Sequence, residues 1–404
     1  MLAPAAAAAS FRVGSPVVIL FYACVMVQGL LLVSFPALSV VLTGAYALTS
    51  AQYGAIFLPQ VGCAVIGALL GGGLAQRLGL KALLTISLAA GALSQALLAL
   101  LPILPADWVF PCVLAGTAAL GLGFGFSGAP MNSYPPAFFP ARSHGAVVAA
   151  HTLVGFGLAI GPLIAGEFVR RGAWVGFPAA LAVLAACLAV LAALGPLPAC
   201  RAVVPAGADG IKERPVGSQA FWVFVAIVVL YAFAEGTFSS WAVIYLRDDR
   251  GLPEMTASWA LSAFWGALVI GRLLASALVA RIAPEIVWGF MPLLMIAAFL
   301  LLPTATGGPS GIALFALAGL ACSAFLPLSI TLASHRFPDN VAWVSSMLIA
   351  ALMVGVGVGS FAVGALRERL TFADLYTWSA LYPALALALA IPILRWARRA
   401  AGTH

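Results

Sequence analysis

The sequence is a succession of long, almost uninterrupted apolar segments, and their length limits the folds open to the chain. Each segment is close to the roughly 20 residues that an α-helix needs to cross the hydrocarbon core of a bilayer. Polar stretches or Pro/Gly-containing breaks separate them. The twelve predicted spans are residues 16–43, 51–75, 82–104, 108–134, 144–168, 174–196, 218–246, 253–280, 286–303, 310–335, 340–366 and 373–396.

The composition excludes an ordinary soluble domain. Hydrophobic residues make up 64% of the 404 positions and charged residues 8%. The apolar segments are continuous and do not alternate with polar residues, which favours helices over the strands of a membrane barrel. We therefore predict an all-α, multi-pass membrane protein. The apolar stretch after Arg12 is too long for a signal-peptide core, so it is predicted to be the first spanning helix.

Lysines and arginines are distributed unequally between the two sides of the predicted bundle. More of them lie in the termini and the even-numbered loops than in the odd-numbered loops. Because cytoplasmic loops carry an excess of Lys and Arg, both termini are predicted to be cytoplasmic. These residues are scattered over many loops, so no nucleic-acid partner is expected.

The two halves of the chain resemble each other at a constant offset. Phe139-Pro140 corresponds to Phe337-Pro338, and Gly157 corresponds to Gly355. The longest hydrophilic stretch lies between the halves. We predict a six-helix N-terminal half at residues 1–199, a cytoplasmic linker at 200–217 and a six-helix C-terminal half at 218–404, arranged as parallel, pseudo-symmetric repeats.

Glu235 is the most informative polar residue, because it lies in the middle of an apolar span where an ionised carboxylate is costly. Burial disfavours the charged form, so this carboxyl could take up and release a proton. Tyr231 lies one turn before it on the same helix face. The alternative is a carboxyl that stays neutral or hydrogen-bonded to a neighbouring helix. His151, in the predicted fifth helix, is the second candidate proton carrier, with a packing role as its alternative.

Further polar residues are candidate ligands for a small hydroxylated solute. Ser262, Trp265 and Arg272 share one stripe of the predicted eighth helix. Arg272 could instead brace Glu235, act in gating, or extend to the cytoplasmic surface. Trp241 and Trp265 could equally fill the core. The candidates for substrate binding are Asn132, Gln28, Gln60, Tyr231, Trp241, Trp265, Ser262 and Arg272.

The loop between the second and third predicted helices carries a family resemblance. Residues 73–81 read GLAQRLGLK, which resembles the Gly-x-Leu-Ala-Asp-Arg-x-Gly-Arg-Lys signature of the major facilitator superfamily. Gln76 replaces the acid of that signature. The resemblance implies two six-helix halves, a transport function, and a gating role for Gly73, Arg77, Gly79 and Lys81.

A narrower resemblance is to the fucose-permease-like branch of sugar/H⁺ symporters. It rests on residues 121–125 (GLGFG), Asn132, His151, Glu235 within AEG, and residues 260–266 (ALSAFWG). Where that branch looks to acids in helices 1 and 4, this chain has Gln28 and Asn132. The resemblance therefore implies a relative and does not extend to fucose as the substrate.

These observations predict a transporter and not an enzyme. We expect proton-coupled movement of a small polar solute, a sugar or polyol, through alternating access in a bacterial inner membrane by a monomer. The alternatives are an exporter of amphipathic compounds, or a lipid flippase, receptor or scaffold on the same fold. The sequence has no phosphate-binding loop, metal-ligand spacing or hydrolase motif, so neither a cofactor nor a metal is expected.

Overall fold

The computed structural model describes residues 14–198 and 215–401, and within these ranges the regular secondary structure is helical, without strands. The predicted all-α fold and the number of spanning helices are confirmed. The spans are α1 Pro16–Gly44, α2 Ser50–Leu78, α3 Leu80–Ala99, α4 Ala106–Phe138, α5 Gly145–Arg170, α6 Gly176–Leu194, α7 Gln219–Asp249, α8 Glu254–Leu278, α9 Pro284–Thr304, α10 Gly308–Arg336, α11 Trp343–Leu366 and α12 Phe372–Arg395.

The predicted boundaries differ from the observed ones by a few residues, and α3 shows why. The prediction extends this helix to residue 104, but it ends at Ala99 and is followed by a 3₁₀ turn at Leu101–Ile103. Pro102 lies inside that turn. Because proline has no N–H, it cannot donate to the carbonyl four residues earlier, and the helix ends before it.

Prolines also interrupt other spans, as α2 and α10 show. Helix α2 is broken at Ile56, three residues before Pro59, and α10 is broken at Ala324, three residues before Pro327. A proline removes one helical hydrogen bond and clashes with the carbonyl four residues earlier, so the interruption falls where the helical bonding fails. The break in α10 separates Gly308–Ser323 from Phe325–Arg336.

The described residues form two compact units. The first contains residues 14–33, 62–158 and 175–198. In it α1 and α5 approach closely, since a Cβ added to Gly29 would lie 2.0 Å from the carbonyl oxygen of Val154. Gly157 lies against the same part of α1. Small residues allow this close contact of two helices.

The second unit contains residues 34–61, 159–174 and 215–401. It joins the end of α1, the start of α2 and the end of α5 to the six helices of the second half. Within it the hydroxyl of Tyr53 donates to the carbonyl oxygen of Ser240 at 2.8 Å. Gly54 of α2 lies directly against Ser360 and Gly364 of α11.

One pair of matched residues has the same backbone conformation in both halves of the sequence. Phe139 follows α4 with φ −132° and ψ 68°, and Phe337 follows α10 with φ −128° and ψ 63°. Each is succeeded by a 3₁₀ turn, Pro140–Arg142 in one case and Pro338–Asn340 in the other. Equivalent residues therefore build the same turn in both halves of the sequence.

Candidate functional site

Glu235 lies near the midpoint of α7, which extends from Gln219 to Asp249. Within the described spans, every other acidic side chain lies within about one turn of a helix end. Glu235 is partly buried, and its neighbours on α7 from Gly236 to Leu246 are buried. A carboxyl in this position has little access to water, so its ionised form depends on nearby hydrogen-bond donors and positive charge.

Tyr231 supplies the nearest donor. Its hydroxyl donates a hydrogen bond to Oε2 of Glu235, one helical turn away. The same hydroxyl lies 3.0 Å from the backbone carbonyl oxygen of Cys322 on α10 and is oriented to donate to it as well. A phenolic hydroxyl carries a single proton. The Tyr231 hydroxyl can therefore donate to only one of the two acceptors at a time. If Glu235 is protonated, its own O–H can donate to the Tyr231 oxygen, and both contacts are then satisfied.

The break in α10 explains why a carbonyl is available at this point. Pro327 has no N–H, so the carbonyl of Ser323 cannot receive its usual helical hydrogen bond. Nε of Arg272 on α8 donates to that oxygen at 3.3 Å. Two successive carbonyls at the break, those of Cys322 and Ser323, are thus bonded from α7 and α8. The charge of Arg272 also acts on Glu235.

Aromatic rings enclose this hydrogen-bonded group. The ring of Tyr231 packs on Phe325, with centroids 5.2 Å apart, and Phe325 stacks on Trp288 of α9 at 5.5 Å. Tyr231, Phe325 and Trp288 are all buried. Hydrogen bonds surrounded by apolar rings are strengthened by the low local dielectric.

Three of the predicted substrate contacts carry buried polar atoms that have no hydrogen-bond partner among the described residues. They are Oε1 of Gln60, Oγ of Ser262 and Nε1 of Trp265. Buried polar groups in proteins are nearly always satisfied by protein, water or ligand. Ser262 and Trp265 lie on one face of α8, and the three atoms together comprise an acceptor, a hydroxyl and a donor.

Trp241 differs from Trp265. Its side chain is 0% exposed, and its indole N–H donates to the carbonyl oxygen of Ser360 at 3.2 Å. Its ring also packs on Tyr53, with centroids 5.0 Å apart, and on Phe372 at 5.7 Å. The structure thus places Trp241 in a closely packed part of the second unit, with its single donor already used.

The first unit brings two other predicted residues together. Nε2 of His151 on α5 lies 3.3 Å from Oδ1 of Asn132 on α4. Nδ2 of Asn132 donates to the carbonyl oxygen of Gly128 at 2.8 Å. Both side chains are exposed on the protein surface. Since amide oxygens only accept, this contact requires the proton of His151 on Nε2.

Gln28 has a different environment. It is 1% exposed, and its Nε2 donates to Oγ of Ser87 on α3 at 2.8 Å. Ser87 in turn donates to the carbonyl oxygen of Gly123 on α4 at 2.6 Å. This chain of hydrogen bonds joins three helices of the first unit.

The motif between α2 and α3 forms a tight helix-to-helix turn. Gly79 has φ 86°, a conformation that glycine adopts without steric cost. Nζ of Lys81 donates to the carbonyl oxygen of Gly195 at 2.8 Å, which ties α3 to the end of α6. Arg77 is exposed, and a Cβ at Gly73 would meet nothing within 4 Å.

Sequence reasoning did not identify the carbonyls of Cys322 and Ser323. Their role comes from main-chain atoms, and only Pro327 marked the position in the sequence. Among the described residues, no group of three His, Cys, Asp or Glu side chains is placed to hold a metal ion.

Twelve spanning helices with buried polar groups at mid-helix define a multi-pass helical membrane protein. The chain belongs to the Major Facilitator Superfamily, whose family model matches residues 17–311 and 223–403. An uncharacterized transporter of Sinorhizobium fredii (strain NBRC 101917 / NGR234), y4wD, is 30% identical over 178 residues. That match covers 42% of this chain and only 45% of the relative.

Solved structures share the fold at low sequence identity. A crystal structure of a mutant of the nucleoside transporter NupG gives a TM-score of 0.77 at 14% identity, covering 93% of this chain and 99% of that one. A D-xylose-proton symporter gives 0.75 at 15% identity, covering 93% and 97%. The E. coli fucose:proton symporter FucP gives 0.56 at 18% identity, covering 95% and 99%.

Proposed function

We propose that this chain is a proton-coupled secondary transporter that moves a small polar solute, a sugar or polyol, by alternating access. The observation that carries the proposal is the carboxyl of Glu235, held at the midpoint of α7 by the Tyr231 hydroxyl and acted on by the charge of Arg272. An ionisable group inside a membrane is costly and is typical of proton and substrate pathways.

Three unpartnered polar atoms support a hydroxylated solute. Oε1 of Gln60 can accept, Nε1 of Trp265 can donate, and Oγ of Ser262 can do either. A hydroxyl group matches such a mixed set because it both donates and accepts. Two of the solved structures that share the fold are described as proton symporters of xylose and fucose. The remaining predicted contacts, Asn132, Gln28, Tyr231, Trp241 and Arg272, complete the proposed set of substrate-binding residues, and His151 is the second proposed proton carrier.

The proposal includes the predicted organisation. The halves 1–199 and 218–404, joined by a cytoplasmic linker at 200–217, would rock about a central site in a bacterial inner membrane, with both termini cytoplasmic, as a monomer. The turn with Gly73, Arg77, Gly79 and Lys81 would act in gating. Most of the linker lies outside the described residues.

The test begins with identification of a ligand. Purified protein is screened by thermal shift against sugars, polyols, organic acids and lipophilic cations at about pH 5.5 and pH 7.5, because a ligand that binds only the folded state raises the melting temperature. A sugar or polyol is expected to stabilise the protein. Stabilisation by lipophilic cations or lipids alone would instead support an exporter or a flippase.

The second stage measures transport in proteoliposomes with an imposed proton gradient. Glu235→Gln is expected to abolish uphill uptake of the identified solute while retaining solute exchange. Glu167→Gln is the matched control, since Glu167 is a carboxylate near the end of α5 that pairs with Arg170 and Arg171. Uphill uptake by Glu235→Gln at the rate of the control would refute proton coupling through Glu235.

A further inference from the structure

We infer that Tyr231 is a positioning residue that links the protonation of Glu235 to the break in α10 by redirecting one hydroxyl proton. This inference rests on the proposed function, in which Glu235 binds and releases a proton. It assigns the coupling to a side chain on α7 and to two main-chain oxygens on α10.

The geometry offers the Tyr231 hydroxyl two acceptors, Oε2 of Glu235 and the carbonyl oxygen of Cys322. When Glu235 is protonated, its O–H donates to the oxygen of Tyr231, and the Tyr231 O–H donates to Cys322. Both bonds then exist together. When Glu235 has released its proton to solvent, the Tyr231 O–H turns to the carboxylate, and the carbonyl of Cys322 loses its donor. The Tyr231–Cys322 hydrogen bond is thus lost, while the O–H bond of Tyr231 itself stays intact.

The carbonyl of Cys322 loses its donor at a point where α10 is already interrupted. The carbonyl of Ser323 has no helical donor because of Pro327, and it receives Nε of Arg272 instead. An ionised Glu235 attracts Arg272, which draws the guanidinium toward α7. Deprotonation therefore weakens the bonds to both carbonyls at the break, and protonation restores them. The segment Phe325–Arg336 is thereby held firmly in one protonation state and released in the other.

The ionisable groups around Glu235 are consistent with this arrangement. In the described residues, Arg272 on α8 is the group of another helix whose charge acts on the Glu235–Tyr231 pair, and the uncharged thiol of Cys322 on α10 is the other titratable group near it. Helix α11 has no titratable residue between 341 and 366. On α8, α9, α10 and α12, which pack against α7, the other titratable or charged groups are Glu254, Glu285, His335, Arg336, Asp374, Tyr376, Tyr382 and Arg395, and Tyr53 of α2 contacts α7 through its hydrogen bond to Ser240.

The experiment measures amide hydrogen exchange of the full-length protein in detergent between about pH 5.5 and 7.5, with rates corrected for the intrinsic pH dependence of exchange. Peptides covering residues 324–331 report on the break. In the wild type, these amides are expected to exchange roughly 3- to 10-fold faster at the higher pH. This factor corresponds to the net free energy that one hydrogen bond contributes to stability.

The hydrogen bonds from Glu235 through the Tyr231 hydroxyl to the carbonyl of Cys322 form the proposed relay. Three variants distinguish this relay from an effect of side-chain packing. Tyr231→Phe keeps the ring on Phe325 but cannot donate to Cys322 at either pH. It should exchange faster than the wild type at the lower pH and lose most of the pH response, keeping only the part that passes through Arg272. Glu235→Gln presents an amide donor to Tyr231 permanently and should exchange slowly at both. Tyr245→Phe is the matched control, because the Tyr245 hydroxyl also donates to a backbone carbonyl, that of Leu302, at 2.8 Å. It should retain the wild-type pH response.

The relay is overturned if Tyr231→Phe keeps the wild-type pH response, or if the wild type shows none. Should Tyr231→Phe fail to fold, Glu235→Gln decides the matter, since a pH response in that variant would equally overturn the relay. Failure of the proposed function is a separate result: uptake would be independent of the proton gradient while the exchange response of the wild type remained.

Discussion

The hydroxyl of Tyr231 donates to the carboxylate of Glu235 one turn along α7, at the midpoint of a membrane-spanning helix. The tyrosine reaches the carboxyl from the same helix, so the pair forms without any rearrangement of neighbouring spans. Its connection to the rest of the protein is made by a second acceptor, the carbonyl of Cys322. A proton site that is local to one helix is thereby joined to another helix through a single hydroxyl.

Trp265 and Trp241 should respond differently to replacement by phenylalanine. The indole N–H of Trp265 has no partner among the described residues, whereas that of Trp241 donates to Ser360. Trp265→Phe is expected to leave the melting temperature of the free protein unchanged and to reduce the shift produced by the ligand. Trp241→Phe removes this buried hydrogen bond and part of a closely packed ring, and should lower stability by about 1–3 kcal/mol. Thermal unfolding with and without ligand measures both effects, and an unchanged ligand response in Trp265→Phe would remove Trp265 from the binding site.

Gly54→Ala tests the close contact of α2 with α11. The added Cβ would lie 2.9 Å from the carbonyl oxygen of Ser360, so the helices must separate. The expected loss is about 1–3 kcal/mol of stability, as for other overpacked sites. Gly62→Ala on the same helix is the control, because nothing lies within 4 Å of its Cβ position. Equal melting temperatures for the two variants would contradict the contact.

Ser87→Ala should destabilise the first unit. Ser87 connects the amide of Gln28 to the carbonyl of Gly123, and all three groups are buried. The alanine variant leaves the buried amide of Gln28 without its acceptor, with an expected cost of about 1–3 kcal/mol. Ser345→Ala serves as the comparison, since Ser345 is partly exposed and bonds only to Val341 of its own helix. Similar thermal unfolding of the two proteins would show that the buried connection contributes little.

Asn132 and His151 are expected to act on the ligand as a pair. Their side chains meet at 3.3 Å, so removing either one takes away a contact of the other. Asn132→Ala and His151→Ala should each reduce ligand affinity, and the double variant should lose less than the sum of the two single losses. A double-mutant cycle of dissociation constants measures this coupling. Additive losses would indicate that the two residues act independently.

The fold was predictable because spanning helices must be long and apolar whatever their neighbours are. The Glu235–Tyr231 pair was also predictable, since residues four apart on a helix meet without help from tertiary structure. The environment of Trp241 was not. Apolar residues occur on every side of α7, so its sequence does not indicate which side packs against protein. The contact of Asn132 with His151 depends on how α4 and α5 pack, and the sequence of neither helix specifies this.

Helix α10 has a consequence for how this protein would respond to mutagenesis. The oxygens of Cys322 and Ser323 that receive Tyr231 and Arg272 belong to the peptide backbone, which every amino acid carries. A scan of α10 by side-chain replacement would leave both acceptor oxygens in place, so substitutions at these two positions would not reveal their role. Pro327 is the residue at which such a scan becomes informative, because replacing it restores the missing N–H and lets the helix reclaim the oxygen of Ser323 from Arg272.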